Sequence, residues 1–236
     1  YSPEEMAIYN KEWHKVGDVR EWEKLGYGVR VYRTIKAREL WNLINICATY
    51  AAEPGIFFID NANEMTNAKA YGQQVVATNP CGEQPLAPYS VCNLAAVNLA
   101  QFAIKDSKTV DYDALRETVK VGVRMQDNVI DATPYFLEEN KTQALGERRV
   151  GLGVMGLADL LIYCEKEYGS EEGNELVDEI FKTIAIAAYE ASIELGQERG
   201  SFPFLQGETA AETARLREAF VNTGFMKKMP QHVRDG

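Results

Sequence analysis

The segment Asn79-Pro80-Cys81-Gly82-Glu83 constrains this chain more than any other stretch. An amide, a thiol and a carboxylate stand at alternate positions. Between them, a proline fixes one backbone dihedral and a glycine permits conformations closed to other residues. This composition spells a stiff turn that presents three reactive side chains together; a hydrophobic strand is not written this way. A second thiol, Cys92, follows in Ser90-Val91-Cys92-Asn93-Leu94.

On residue chemistry alone Cys81 is open to four readings: nucleophile, metal ligand, radical carrier, or a plain buried thiol in a tight loop. A metal site is disfavoured, because no CxxC occurs and the only histidines, His14 and His232, lie far off in sequence. A cysteine-hydrolase dyad needs a histidine base, and neither histidine has a supporting motif. The set Asn79, Cys81, Glu83 and Cys92 favours function over a buried thiol, since one short motif alone carries a false-positive risk.

The 236 residues suffice for one large domain or a part of a bigger one. No apolar run is long enough for a bilayer and no signal-peptide pattern occurs, so a cytoplasmic protein without a membrane partner is expected. A net charge of −10 argues against a nucleic-acid-binding module, which would carry a basic face. It is compatible with a nucleotide substrate, because a few local donors hold one phosphate group. The four cysteines read as thiols rather than a disulfide framework. Of these, Cys47 and Cys164 are expected to behave as small buried hydrophobes.

Along the chain, residues 1–33 read as a helical connection leading into an extended piece at 28–33, with Ser2 as helix cap and Pro3 in the first turn. Residues 34–236 are expected to form the second part. Apolar positions at Leu40, Leu43, Ile44, Cys47, Ala48 and Ala51 mark an amphipathic helix stopped by Glu53-Pro54-Gly55. Ile56 to Ile59 reads as a short strand buried on both faces, with Asp60, Asn61 and Asn63 as caps at its end. Val91 to Leu99 reads as a second interior strand, Cys92, Leu94 and Ala96 on one face. Residues 111–131 form a helix with Leu115, Val119, Val123 and Ile130 inward, and Asp127, Asn128 and Asp131 making local hydrogen bonds. A long helix from Ser170 to Arg199 carries the stripe Leu176, Ile180, Ile184, Ala187, Ala191 and Leu195, and another helix covers 208–222. The remaining tail reads as a polar loop.

Gly151-Leu152-Gly153-Val154-Met155-Gly156 matches a GxGxxG string, but only a very short apolar stub precedes it. A dinucleotide site wants a full strand there, so close packing where a helix meets the sheet is the better account. Arg149-Val150-Gly151-Leu152 also lacks the spacing of a glycyl-radical site.

The string NPCGEQPLAPYSVCNLAAVNLA (79–100) resembles the active-site finger loop and following strand of the ribonucleotide reductase catalytic subunit, in its adenosylcobalamin-dependent (class II) form. The similarity continues through PGIFFID (54–60), MQDNVID (125–131), ERRVGLGVMGLADLLI (147–162) and AAYEASIELGQERGSFP (187–203), in order, over roughly residues 35 to 230. The resemblance implies an α/β fold, part of a ten-stranded barrel, with residues 34–236 a partial catalytic barrel domain and the finger loop at 79–83 threading its centre. Residues 1–33 are least like the family.

The resemblance also implies roles. Cys81 would carry the thiyl radical that takes hydrogen from the ribose 3′ carbon, Glu83 would accept the 3′-hydroxyl proton, and Asn79 would hold the sugar hydroxyls. Pro80 and Gly82 would complete the substrate-binding loop. Cys92 would be a redox-active thiol that reduces the 2′ position and ends in a disulfide. A radical there must be kept from water, so the loop is expected inside a closed barrel. Adenosylcobalamin would generate the radical. Implied partners are a ribonucleotide, most simply a diphosphate, and a thiol reductant such as thioredoxin.

The family's regulatory N-terminal region, the strand bearing the partner thiol of Cys92, the substrate-phosphate loop and the C-terminal exchange cysteines have no counterpart in these residues. The missing N- and C-terminal segments are therefore expected as further partners, and the chain by itself is expected to be inactive. Two alternatives stand beside this reading. One is a class I fragment served by a separate radical-generating subunit; the other is a non-catalytic assembly fragment that keeps the motif as a folding element.

Overall fold

The computed structural model describes residues 2–236, apart from the side chains of His14 and Lys15. Two compact units divide the chain, Tyr1–Ile56 and Phe57–Gly236. In the first, α1 (Pro3–Val16) opens with a complete capping box: Ser2 Oγ accepts from the Glu5 amide, and the Glu5 carboxylate accepts from the Ser2 amide. Gly17, with φ +64°, closes it. Asp18 caps α2 (Val19–Lys24), whose Trp22 is buried between Tyr9, Trp13 and Tyr27. An irregular stretch then leads to α3 (Ala37–Ala51), ended by Ala52 in the left-handed region.

The expected amphipathic helix is present in α3, but none of its residues is buried. Leu40, Trp41, Leu43 and Ile46 are exposed and Cys47 is only half-buried, which corrects the expectation for that thiol. Nothing among the described residues of its unit covers the apolar stripe.

In the second unit, α4 (Ile59–Met65) begins where a buried strand is expected. Residues 56–58 are irregular, and Phe58 is 68% exposed. A strand buried on both faces needs backbone partners on both sides, and no described strand pairs here. Asp60, Asn61 and Asn63 consequently lie within the helix rather than capping it. Asn63 instead braces the next loop, donating to the Val75 carbonyl at 3.0 Å and accepting from its amide at 2.8 Å.

Two short strands follow, β1 (Ala77–Thr78) and β2 (Pro85–Leu86), and then β3 (Asn93–Asn98). A small antiparallel pair, β4 (Ala103–Ile104) and β5 (Thr109–Val110), precedes α5 (Tyr112–Ala132), capped by Asp111. α6 (Glu138–Glu147) ends at Arg148 with φ +50°. β6 (Val150–Met155) then returns parallel to β3, Asn93 opposite Val150 through Asn98 opposite Met155. The unit finishes with α7 (Leu157–Tyr163), α8 (Glu171–Arg199), α9 (Ala210–Val221) and α10 (Gln231–Asp235).

The glycine string is therefore the strand β6 itself, not a turn after one. Gly156 starts α7 at φ +69°, where an added Cβ would stand 2.5 Å from Asn98 Oδ1 and 3.2 Å from Ala100. Left-handed backbone and a tight approach coincide, so glycine is required. Gly156→Ala is expected to destabilise the fold by about 2–3 kcal/mol, read as a lower midpoint in urea unfolding.

Helices α5 and α8 pack on one face of the β3–β6 pair. Leu115, Val119, Leu160, Ile180, Ile184 and Ala187 meet Val97, Leu99 and the buried Cys164, as the helical stripes require. The strand expectation for 91–99 holds on one side only: Val97 is buried, whereas Leu94 is 58% exposed and Ala96 is also open. One polar side chain interrupts the α5 stripe. Gln126, 1% exposed, donates to the carbonyls of Asn93 at 3.0 Å and Gly151 at 2.9 Å, pinning the two strands together near their starts.

The polar tail also differs from expectation. Met226, Met229 and Val233 are buried against Ala185, Ile186, Tyr189 and Ile193 of α8, so the tail folds back as a covering turn and helix. Asp127, Asn128 and Asp131 bond across long sequence separations instead of locally. Asp127 holds Arg148 at 2.7 Å and Arg199 at 2.6 Å, Asp131 holds Arg148 at 2.7 Å, and Asn128 accepts from Arg199 at 2.8 Å. Among the described residues no helix is long and apolar enough to cross a membrane.

Candidate active site

The finger segment is the tip of a hairpin. β1 pairs antiparallel with β2, Ala77 opposite Leu86 and Thr78 opposite Pro85. Further rungs run from the Val76 amide to the Leu86 carbonyl at 2.9 Å and from the Asn79 amide to the Gln84 carbonyl at 3.3 Å. At the tip the Gly82 amide closes a four-residue turn onto the Asn79 carbonyl at 3.0 Å, with Gly82 at φ +81°. Pro80 presets the first central position of that turn, and only Gly82 accepts the left-handed exit without strain.

Asn79 has a structural task as well as its proposed one. Its Oδ1 accepts from the Gln84 amide at 2.9 Å, and nothing among the described residues takes up its Nδ2 donors. The hairpin thus orients the amide while leaving its donor side available. Cys81 and Glu83 are both exposed at the tip.

The expected shielding of the loop is not supplied by the described residues themselves. The described strands form three separate two-stranded sheets, and a closed barrel is not among them. A hairpin with two-residue arms brings no wall of its own, so these residues leave the Cys81 sulfur facing solvent.

Cys92 lies immediately before β3 and is half-buried. A Cβ placed on Gly151 would stand 2.6 Å from Leu94, 2.8 Å from Gln84 Nε2 and 3.0 Å from Cys92 Sγ. The missing side chain of Gly151 is therefore what lets the hairpin and the second thiol pack against β6 together. Burial pushes the Cys92 thiol up to about 11, the Arg149 charge opposing this and the Glu147 and Glu83 carboxylates reinforcing it. Glu83 and Cys92 thus share one electrostatic neighbourhood, and Cys92 stays protonated at neutral pH.

Behind the hairpin sits a buried polar cluster that the sequence did not reveal. Glu147, 6% exposed, accepts from Arg149 Nη2 at 2.5 Å, Tyr71 Oη at 2.9 Å, Gln143 Nε2 at 3.2 Å and Ser90 Oγ at 3.3 Å. Gln143 and Gln73 exchange side-chain hydrogen bonds at 2.9 and 2.8 Å. Burial alone would raise the Glu147 carboxyl, yet the bonds and charge from Arg149, with Tyr71 and Gln143, hold it below the usual carboxylate range. The Tyr71 hydroxyl is driven upward, by burial first and by Glu147 second. Arg149 Nη1 also reaches the Pro85 carbonyl at 3.5 Å, tying β2 to the start of β6. The available signal was the pair of charges, Glu147 and Arg149, directly ahead of a strand-length apolar run.

Two clefts, of about 260 and 470 Å³, are lined by Asp60, Asn63, Glu64 and Lys69 and by Tyr71, Pro203, Phe204 and Leu216 among others. Neither is lined by residues 79–92.

Comparison with known proteins accounts for this arrangement. Residues 4–231 match the family model described as "Ribonucleotide reductase, barrel domain". The chain is 40% identical over 195 residues to a vitamin B12-dependent ribonucleoside-diphosphate reductase of Thermoplasma acidophilum, covering 82% of this chain and 25% of that protein. It is 39% identical over 194 residues to a protein of the same name from Mycobacterium tuberculosis, covering 82% and 28%. Against the ribonucleoside-diphosphate reductase large chain of Cryptosporidium parvum the identity is 36%, covering 81% and 24%. The chain spans about a quarter of the length of the curated relatives it matches. With the family model covering nearly the whole chain, hairpin tip and second thiol included, this protein belongs to the ribonucleotide reductase barrel-domain family.

Proposed function

We propose that this chain is the central portion of a ribonucleotide reductase catalytic subunit and carries the loop that reduces ribonucleoside diphosphates through a thiyl radical at Cys81. The observation that supports this best is the hairpin. It sets Asn79, Cys81 and Glu83 at one tip, and Cys92 packs beside Gln84 against Gly151.

Each residue then has a task suited to its surroundings. Cys81, oxidised to the thiyl radical, takes the ribose 3′ hydrogen, a transfer near balance because an S–H bond and that C–H bond are similar in strength. Glu83 accepts the 3′-hydroxyl proton. Asn79, its amide oxygen already engaged by Gln84, offers Nδ2 to a sugar hydroxyl. Cys92 must deliver hydrogen, which requires a protonated thiol, and burial keeps it in that form.

The proposal places the hairpin at the centre of a ten-stranded barrel whose other strands come from the missing N- and C-terminal segments. Those strands would shield Cys81, since the described residues do not. A ribonucleotide and a dithiol reductant of the thioredoxin kind are the proposed partners. Two relatives are named vitamin B12-dependent, so adenosylcobalamin is proposed as the radical source of the complete enzyme. Neither of the two clefts is lined by hairpin residues, so no residue of this chain is given a part in holding that group.

The test is Cys92→Ser in the complete catalytic subunit. Repeated turnover with a dithiol reductant should fall by about 10²-fold or more while Cys81 chemistry still begins. Sustained turnover at the parent rate would remove Cys92 from the reaction.

A further inference from the structure

The buried Glu147 and the half-buried Arg149 form an ion pair beside a thiol proposed to cycle through a disulfide, and nothing above assigns that pair a part in the cycle. Arg149 makes a short bond to Glu147, reaches the finger hairpin at the Pro85 carbonyl, and keeps a buried Nε–H with no hydrogen-bond partner. Cys92 packs against Gly151, two residues beyond Arg149. The charged groups acting on Cys92 are Arg149 and Glu147, from the junction of α6 with β6, and Glu83, from the hairpin. Two are carboxylates and one is a guanidinium, so Arg149 alone among these three opposes the combined effect of burial and like charge on a developing thiolate.

We propose that Arg149 is a positioning residue for the re-reduction of Cys92, stabilising its sulfur as the leaving thiolate when the disulfide is opened. The inference rests on the redox role proposed for Cys92. In the step itself a thiolate of the external dithiol attacks the sulfur bonded to Cys92. A new S–S bond forms, the old one breaks, and its electron pair stays on Cys92 Sγ, which is then protonated. The second thiol of the reductant closes the mixed disulfide, so one dithiol is oxidised as one disulfide is reduced. A thiolate that is better stabilised leaves faster, and the nearby positive charge supplies that stabilisation without opening the site to water.

The pair also lets charge be separated from packing, because its two members act on Cys92 with opposite signs. In the complete catalytic subunit, alkylation of reduced Cys92 is followed against pH by peptide mass spectrometry. Arg149→Gln should move the midpoint upward by about one pH unit and slow opening of the Cys92 disulfide by dithiothreitol several-fold. Arg149→Lys should restore most of both. Glu147→Gln should move the midpoint downward and serves alone if Arg149→Gln fails to fold. Shifts of the same sign in Arg149→Gln and Glu147→Gln would overturn the inference, as would an unmoved midpoint in Glu147→Gln. Failure of these variants alongside a Cys92→Ser enzyme that cannot turn over repeatedly defeats only the role of Arg149. A Cys92→Ser enzyme that turns over normally defeats the reading beneath it.

Discussion

Cys81→Ala in the complete catalytic subunit should reduce ribonucleotide turnover by at least about 10⁴-fold, measured as deoxyribonucleotide formed per enzyme. The loss is expected to be one of chemistry and not of folding. The turn is closed by the Gly82 amide on the Asn79 carbonyl, and the hairpin by the Gln84 amide on Asn79 Oδ1; neither bond uses the sulfur. Pro80 and Gly82 keep the backbone path whatever side chain stands between them. Thermal unfolding and substrate binding should therefore stay close to the parent. Turnover near the parent rate would support the non-catalytic reading of this chain, in which the motif is kept only as a folding element.

Asp127→Ala should cost stability on a scale unusual for a single carboxylate, about 3 kcal/mol, lowering Tm by roughly 10 °C. Asp127 is 8% exposed and stands between Arg148 and Arg199, holding the end of α5 to the start of β6 and the end of α8. Removing it leaves two guanidiniums close together and without their shared counter-charge. Asp131→Ala is the control. It removes a more exposed carboxylate from the same arginine and should cost about 1 kcal/mol or less. Equal losses from the two variants would mean that burial does not set the strength of this junction.

Acid should act on the same region with a definite sign. The Arg148 hydrogen bond is the first cause of a lowered Asp131 carboxyl, and Glu147 is lowered despite its burial. Groups depressed in the folded state add stability above their ordinary range and lose it as pH falls through the folded values. The junction should therefore weaken below about pH 4, not near neutrality.

The five longest helices were legible because their signals are local. Ser2, Ser170 and Asp111 cap where short polar side chains precede apolar periodicity, and the stripes of α5 and α8 meet as their spacing requires. Strand assignments failed wherever they depended on a neighbour. Ile56 to Ile59 has the composition of an interior strand, yet the described residues provide no ladder for it. Leu94 and Ala96 have an apolar spelling without a facing layer. The site divided the same way: the alternation at 79–83 announced a rigid tip, but its shielding depends on residues outside that alternation. Glu147 and Arg149 went unseen because burial of a charge pair is a three-dimensional fact, and nothing in Glu-Arg-Arg announces which arginine turns inward.

The parallel pair β3–β6 has a consequence for anyone handling this polypeptide in isolation. Among the described residues each of its strands has one strand neighbour, and Leu94 and Met155 stand open beside them. Bare ladder edges beside uncovered apolar side chains recruit any extended backbone that reaches them, including that of another molecule of the same kind. Concentrated samples will stick to themselves edge to edge, and a short peptide offered in trans to occupy that rim should keep them dispersed.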